Sequence, residues 1–114
     1  MPDDIFISYA RADRERIKPI VDAMRAVGVS FWIDEGQIHA ATLWSEEIVD
    51  AINNCTAMVV VLSDNSTGSD NVVKEVMLAS ELKKPILPIY LEETVIPRKL
   101  QYQLAGIQHL EVYG

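Results

Sequence analysis

Three polar clusters carry the side chains that could do chemistry. They are Ser8-Tyr9-Ala10-Arg11-Ala12-Asp13, Asp34-Glu35-Gly36-Gln37-Ile38-His39 running on to Trp44, and Ser63 through Asp70, which leads to Asn71 and Glu75. Together they offer carboxylates, a guanidinium, an imidazole, an indole, hydroxyls and amides, a set able to hold a polar ligand. The same residue types also have plainer uses. Asp13 and Asp70 read most simply as helix N-caps, whose side-chain oxygens accept from backbone N–H groups. A glutamate early in a helix, such as Glu75, is ordinarily solvated and favoured by the helix dipole. Trp44 can anchor a helix in the core, and Arg11 can be a surface charge. On spacing alone these clusters indicate a ligand-binding domain and name no reaction.

Other reactive constellations are missing. There is no GxGxxG or GxxxxGK[ST] loop to cradle a dinucleotide or a nucleoside triphosphate, and no GxSxG nucleophile elbow. His39, His109 and Cys55 do not fall at a recognised metal-ligand spacing, so no metal or resident cofactor is expected. A phosphoacceptor receiver domain needs acids after its first strand and an aspartate ending its third. Tyr9-Ala10-Arg11 and Ser63 stand there instead.

The elements that must position these clusters follow from apolar patterning. Five short runs read as strands: Ile5 to Tyr9, Val29 to Ile33, Ala57 to Leu62, Ile86 to Leu91 and His109 to Tyr113. Most are apolar nearly throughout, as suits strands covered on both faces. Between them lie helical patterns. Arg14 to Val27 places Ile17, Ile20, Val21, Met24 and Val27 on one stripe, with Gly28 at the expected C-cap and Pro19 awkward in the interior. Trp44 to Asn53 and Asn71 to Leu82 repeat the pattern, and Glu92 to Gln103 has room for one short helix. Pro85 and Pro88 suggest a fourth strand nearer the edge than the centre. Ser63 to Asp70 is long for a strand-to-helix loop.

Alternating strands and helices predict an α/β fold, a flavodoxin-like five-stranded parallel sheet of order 2-1-3-4-5 with helices on both faces. Ligands of such sheets bind beyond the carboxyl ends of the strands, where strand order reverses. All three polar clusters fall at such ends.

Composition narrows the partners. The 114 residues are one domain's worth, and 49% are apolar, enough for one core. The formal charge of −7 argues against nucleic acid and against an anionic membrane surface. No run is long enough to span a bilayer, and no signal peptide is visible. The single cysteine, Cys55, fits a reducing compartment and reads as a packing residue. These features together make a cytoplasmic location the expectation.

A family resemblance covers nearly the whole chain. Asp4 to Asp13, DIFISYARAD, resembles the opening strand and loop of TIR (Toll/interleukin-1 receptor) domains. Gly28 to Asp34, GVSFWID, is similar to the family's second strand, and Ile38 to Trp44 with Ile48 and Ala51-Ile52 to its following loop and helix. Val59 to Ser63, Ser69 to Glu75 and Lys84 to Ile89 resemble its third strand, its serine-to-glutamate motif and its fourth strand. The bacterial members are the nearer likeness, and residues 1–114 are expected to be one TIR domain of a longer protein.

The resemblance implies an assembly-activated NAD+ nucleosidase. Glu75 matches the catalytic glutamate of the NAD-cleaving members. Ala10, Arg11, Asp34, His39, Trp44, Ser63 and Asn71 fall where substrate contacts are expected. The same likeness implies NAD+ as substrate rather than cofactor, and other TIR domains as partners through the 34–43 loop. It further implies a fused sensor domain and a bacterial antiviral role. The chain departs from the family at Ala41, where glycine is common, and at Asn71, where tryptophan is common. Those departures keep open a non-catalytic TIR–TIR interaction module.

Overall fold

The computed structural model describes residues 4–33, 46–104 and 106–112. Five strands, β1 (Ile5–Ser8), β2 (Phe31–Ile33), β3 (Ala57–Leu62), β4 (Ile86–Tyr90) and β5 (Leu110–Glu111), form one sheet. The order is β2-β1-β3-β4-β5 and every pairing is parallel, as the apolar runs predict. Helices α1 (Lys18–Ala26), α2 (Glu46–Asn54), α3 (Asp64–Thr67), α4 (Asp70–Glu81) and α5 (Arg98–Leu104) fill the connections.

Strand order and handedness together assign the helices to faces. The step from β1 to β2 runs one way along the sheet, and the steps into β3, β4 and β5 run the other way. Right-handed crossovers therefore send α1 to one face and α2, α4 and α5 to the opposite face. The buried residues divide accordingly. Even-numbered Phe6, Met58, Val60 and Leu62 pack under Ile48, Ile52, Val72, Val76, Ala79 and Leu100. Odd-numbered Ile7, Val59, Val61, Ile89 and Leu91 pack with Ile17 and Val21 of the α1 side. Both parities of β1 and β3 are thus buried, which is why those strand sequences are apolar without alternation.

The first helix begins later than the periodicity suggests. Residues 14–17 form a turn, and α1 starts at Lys18 with Pro19 in its first turn. Pro19 is well placed there, because the first helical N–H groups lack intrahelical acceptors. Gly28 ends the helix at φ +79°, with Gly28 N–H bonding the Arg25 carbonyl and Val29 N–H the Met24 carbonyl. Lys83 makes the same turn after α4 at φ +62°, although it carries a side chain. Left-handed backbone disfavours any Cβ, and a Cβ at Gly28 would meet no atom within 4 Å. Gly28→Ala is therefore expected to lose about 1 kcal/mol of stability and Lys83→Gly to gain a similar amount. Urea unfolding midpoints of the two variants check both signs.

The prolines of β4 sit where the ladder tolerates them. Pro85 accepts from Met58 N–H and Leu91 N–H donates to Leu62, so odd-numbered residues of β4 face β3. Pro88 turns its nitrogen to the other side, where β5 pairs only from Ile89 onward. β4 lies one strand in from the edge and one from the central β3, so it is midway and not nearer the edge. The fifth strand is shorter than the apolar run His109 to Tyr113 suggests. Among the described residues no helix is long and apolar enough to cross a membrane.

Candidate active site

β1 lies between β2 and β3, and the chain leaves it to one side and then returns to the other, so its carboxyl end is at the switch point of the sheet. Ser8 ends it. The Ser8 hydroxyl donates to Glu75 Oε1 at 2.7 Å, joining residues 67 apart in sequence. Both are buried, Glu75 with 6% of its surface exposed and Ser8 with 1%. This overturns the simplest reading of Glu75 as a solvated helix residue. Burying a carboxylate is costly unless polar partners compensate it. Such a group at the crevice of a doubly wound sheet is a candidate functional carboxylate.

The wall that holds it is built by α4. Ser69 is the N-cap and its side chain accepts from Val72 N–H, with Asp70 one place further in. Asp70 is thus in the first turn and is not the cap. Four residues on from Asn71, the helix directs Glu75 back at β1, while Val72, Val76 and Ala79 hold the helix down on the sheet. A cleft of about 100 Å³ opens beside Glu75, lined by Ile7, Tyr9, Arg11, Ser69, Asn71 and Glu75. Arg11 and Asn71 are exposed, so a cation and an amide face the same small space as the carboxylate. A larger cavity of about 630 Å³ lies between α4 and α5 and has no buried carboxylate among the described residues of its walls. Chemistry marks the smaller cleft more clearly than volume marks the larger one.

The turn that presents Arg11 is fastened from behind. Ala10 is buried at the start of a 3-10 turn, Arg11–Asp13. Asp13 is fully buried and caps no helix, contrary to the simplest reading of it. Its carboxylate accepts from the Ser63 hydroxyl, from Asn65 Nδ2 at 2.8 Å and from Arg16 at 3.2 Å. Ser63 caps α3, a one-turn helix inside what reads as a loop in the sequence, and forms a reciprocal capping box with Ser66. With its hydroxyl committed to Asp13 and that cap, Ser63 lies behind the cleft and does not line it.

Arg16 extends the fastening to Glu92, 2.8 Å away, and Glu92 accepts from Asp64 N–H at 2.7 Å. The Asp64 amide and then the Arg16 guanidinium hold the Glu92 carboxyl below the usual glutamate range. A lowered folded value stabilises the fold above the unfolded value and ceases to do so as pH falls through the folded one. Wild type is therefore expected to exceed Glu92→Gln in stability near neutral pH. The difference should shrink below about pH 4.3, which denaturation midpoints across that range would record. Cys55, meanwhile, is pushed up by burial and donates to the Ile52 carbonyl, in keeping with a packing role.

The structure brings together Glu75, Arg11 and Asn71, with Ala10 just behind them, and leaves Ser63 in the second rank. Asp34, His39 and Trp44, and the 34–43 loop with them, lie outside the described residues. The lining residues Ile7, Tyr9 and Ser69, and Ser8 that holds Glu75, are not among the site residues expected from the sequence. Ser8 leaves a signal, a single polar residue closing the apolar run Ile5-Phe6-Ile7.

A flavodoxin-like sheet with a carboxylate at its switch point defines a broad class of ligand-binding α/β domains. Comparison with known proteins narrows it. A TIR-domain family model matches residues 5–114, and the chain belongs to the TIR domain family. Among curated proteins it is similar to BdTIR of Brachypodium distachyon, named "Probable 2' cyclic ADP-D-ribose synthase". The two are 24% identical over 91 residues, 78% of this chain. The match spans 41% of that relative's length. The TIR domain of the Toll-related receptor TRR-2 from Hydra magnipapillata superposes with a TM-score of 0.79 at 24% identity, over 96% of this chain and 84% of that one. A metazoan TIR-STING receptor from C. gigas gives 0.68 at 24% identity, over 90% and 37% of the respective chains. The TIR domains of the activated Roq1 resistosome also give 0.68, at 21% identity over 81% and 59%. These structural likenesses speak for the fold.

Proposed function

We propose that this TIR domain cleaves the nicotinamide–ribose bond of NAD+, with Glu75 as the catalytic carboxylate. The observation that carries the reading is the buried Glu75, held by Ser8 at the switch point and sharing its cleft with Arg11 and Asn71. The curated relative's name, a synthase of a cyclic ADP-ribose, supports the same substrate.

The chemistry suits one carboxylate. Departure of nicotinamide builds positive charge on the ribosyl carbon, and an ionised carboxylate close to that carbon stabilises the oxocarbenium-like transition state. Nicotinamide leaves NAD+ as a neutral molecule, so no acid has to protonate it and no second carboxylate is needed. The Ser8 hydroxyl acts as a positioning group by fixing one oxygen of Glu75. Arg11 at the mouth of the cleft is the pyrophosphate ligand in this scheme. Capture of the ribosyl centre by water yields ADP-ribose, and capture by an adenine nitrogen yields a cyclic product.

A cleft of about 100 Å³ is small beside the 300–1,000 Å³ of ordinary small-molecule sites, so it takes one ring of the substrate at most. In this reading the remaining contacts come from Asp34, His39 and Trp44, and from a neighbouring copy joined through the 34–43 loop. Activity is then gated by assembly, which suits a cytoplasmic bacterial antiviral effector fused to a sensor. The exposed Asn71 offers no stacking surface, and that favours the second reading, a non-catalytic interaction module.

NAD+ loss over time, measured across a wide range of protein concentration with crowding agent, separates the two readings. Loss rising more steeply than linearly with protein, with ADP-ribose or its cyclic form as product, supports the enzyme. No loss from protein shown to be assembled leaves the interaction module.

A further inference from the structure

Asn71 stands one helical turn before Glu75 on α4, so the two side chains share a face of the helix, about 6 Å apart at Cβ. Both line the cleft of about 100 Å³ at the end of β1. Two polar groups there are already committed. The Glu75 carboxylate accepts from the Ser8 hydroxyl, and the Ser69 side chain accepts from Val72 N–H as the helix cap. Asn71 is different. It is exposed, it does not cap the helix, and its amide forms no hydrogen bond among the described residues. The cleft thus offers one carbonyl oxygen and one NH2 group, side by side, to whatever enters it.

A primary amide pairs best with a group that presents a donor beside an acceptor, as when asparagine reads the edge of adenine through two hydrogen bonds. The carboxamide of nicotinamide is such a group. When Glu75 lies against the ribosyl carbon, that carboxamide is one pyridine ring away from the bond being broken. The spacing of Glu75 and Asn71 on the helix is of the same scale. The adenine amino group lies at the far end of the dinucleotide, beyond both phosphates, and a cleft for one ring does not reach it.

We propose that Asn71 is the specificity residue for the leaving base, its oxygen accepting from the carboxamide N–H and its NH2 donating to the carboxamide oxygen. The inference rests on the NAD+ reading and adds that the base is chosen by its amide. The carboxamide takes no part in bond breaking, so the pairing is the same in bound substrate and in the transition state. Its loss therefore raises KM more than it lowers kcat. Water competes at an exposed residue, which limits the effect to about tenfold, far less than a buried pair would give.

Two measurements test it. The first compares kcat and KM for NAD+ and its 3-acetylpyridine analogue in wild type and Asn71→Leu, at matched assembly. Acetylpyridine is neutral and a comparable leaving group, but carries a methyl in place of the NH2. Nicotinic acid would also be repelled by Glu75 and is the poorer probe. Leucine keeps the shape of asparagine and has neither donor nor acceptor. Wild type should favour NAD+ by about tenfold in kcat/KM, mainly through KM, and Asn71→Leu should bring the two substrates to near equality. The second needs no turnover: free nicotinamide, 3-acetylpyridine and AMP are titrated in turn into isotope-labelled protein while NMR follows the side-chain NH2 signals. Nicotinamide should shift the Asn71 signal, assigned by its loss in Asn71→Leu, and the other two should shift it much less. An unchanged preference in Asn71→Leu, with NAD+ still cleaved, overturns the inference and leaves the NAD+ reading standing. An Asn71 signal that nicotinamide does not move, or that AMP or acetylpyridine moves as strongly, also overturns it. Wild type that binds nicotinamide at Asn71 but cleaves no NAD+ when assembled overturns the NAD+ reading and keeps Asn71 as the amide contact.

Discussion

Glu75→Gln is expected to lower NAD+ cleavage by about 10²-fold or more while leaving the fold intact. Glutamine preserves the shape of the side chain and an oxygen for the Ser8 hydroxyl, so the cavity and the 2.7 Å contact can both survive. What it removes is the negative charge, which alone opposes the positive charge building on the ribosyl carbon. Alanine is the poorer test here. Glu75 is buried, and truncation would leave the Ser8 hydroxyl without its partner, mixing a stability loss with a catalytic one. Ser8→Ala, which leaves the charge but frees it from its positioning partner, should cost less than Glu75→Gln. Turnover by the glutamine variant within a few fold of wild type, at matched assembly, would refute Glu75 as the catalytic group. A large loss in Ser8→Ala with little in Glu75→Gln would move the chemistry to the serine.

The reason to trust charge over mere contact lies in how the sheet is wound. The alternation of apolar runs with helical patterns is visible in the sequence and points to a parallel sheet, for which the flavodoxin-like order is the economical arrangement. The runs Ile5 to Tyr9 and Ala57 to Leu62 are apolar at both parities because helices cover both faces, so their assignment depends on no distant residue. Boundaries are less visible. The stripe of Ile17, Ile20, Val21 and Met24 is genuine, yet it cannot reveal that residues 14–17 are a turn and that Pro19 opens the helix. Ser63 to Asp70 reads as a loop because four residues of helix are too few to show a period.

The site divides along the same line. Arg11, Asn71 and Glu75 are recoverable from family likeness, since each sits at a fixed offset from a strand or helix end. The Ser8–Glu75 and Ser63–Asp13 contacts join residues 67 and 50 apart, and no spacing rule reaches across such gaps. Burial is the other hidden quantity. Asp13 and Glu75 have the composition of surface residues, and only packing of the turn and of α4 against the sheet shows that both are inside.

Asp13→Ala is the second large effect, and it falls on stability: a loss of about 3 kcal/mol, roughly 10 °C in melting temperature for a domain of this size. Two very different contacts meet at this residue's neighbour Arg16. The outer pair, Arg16 with Glu92, joins side chains 41% and 32% exposed, and solvent-screened pairs of that kind contribute little. Asp13 has no exposure at all and serves three donors, so its removal strands the buried Ser63 hydroxyl in the interior and takes the acceptor from the Asn65 amide. The cost of desolvated, unpaired groups exceeds that of a screened pair, so Asp13→Ala should destabilise far more than Glu92→Gln. Asp13→Asn separates charge from hydrogen-bond count, because its amide turns one acceptor into a donor facing other donors, and it should fall between alanine and wild type. Melting curves for all three variants give the ranking. Asp13→Ala within about 1 kcal/mol of wild type would mean that the turn behind Arg11 is held by backbone packing alone.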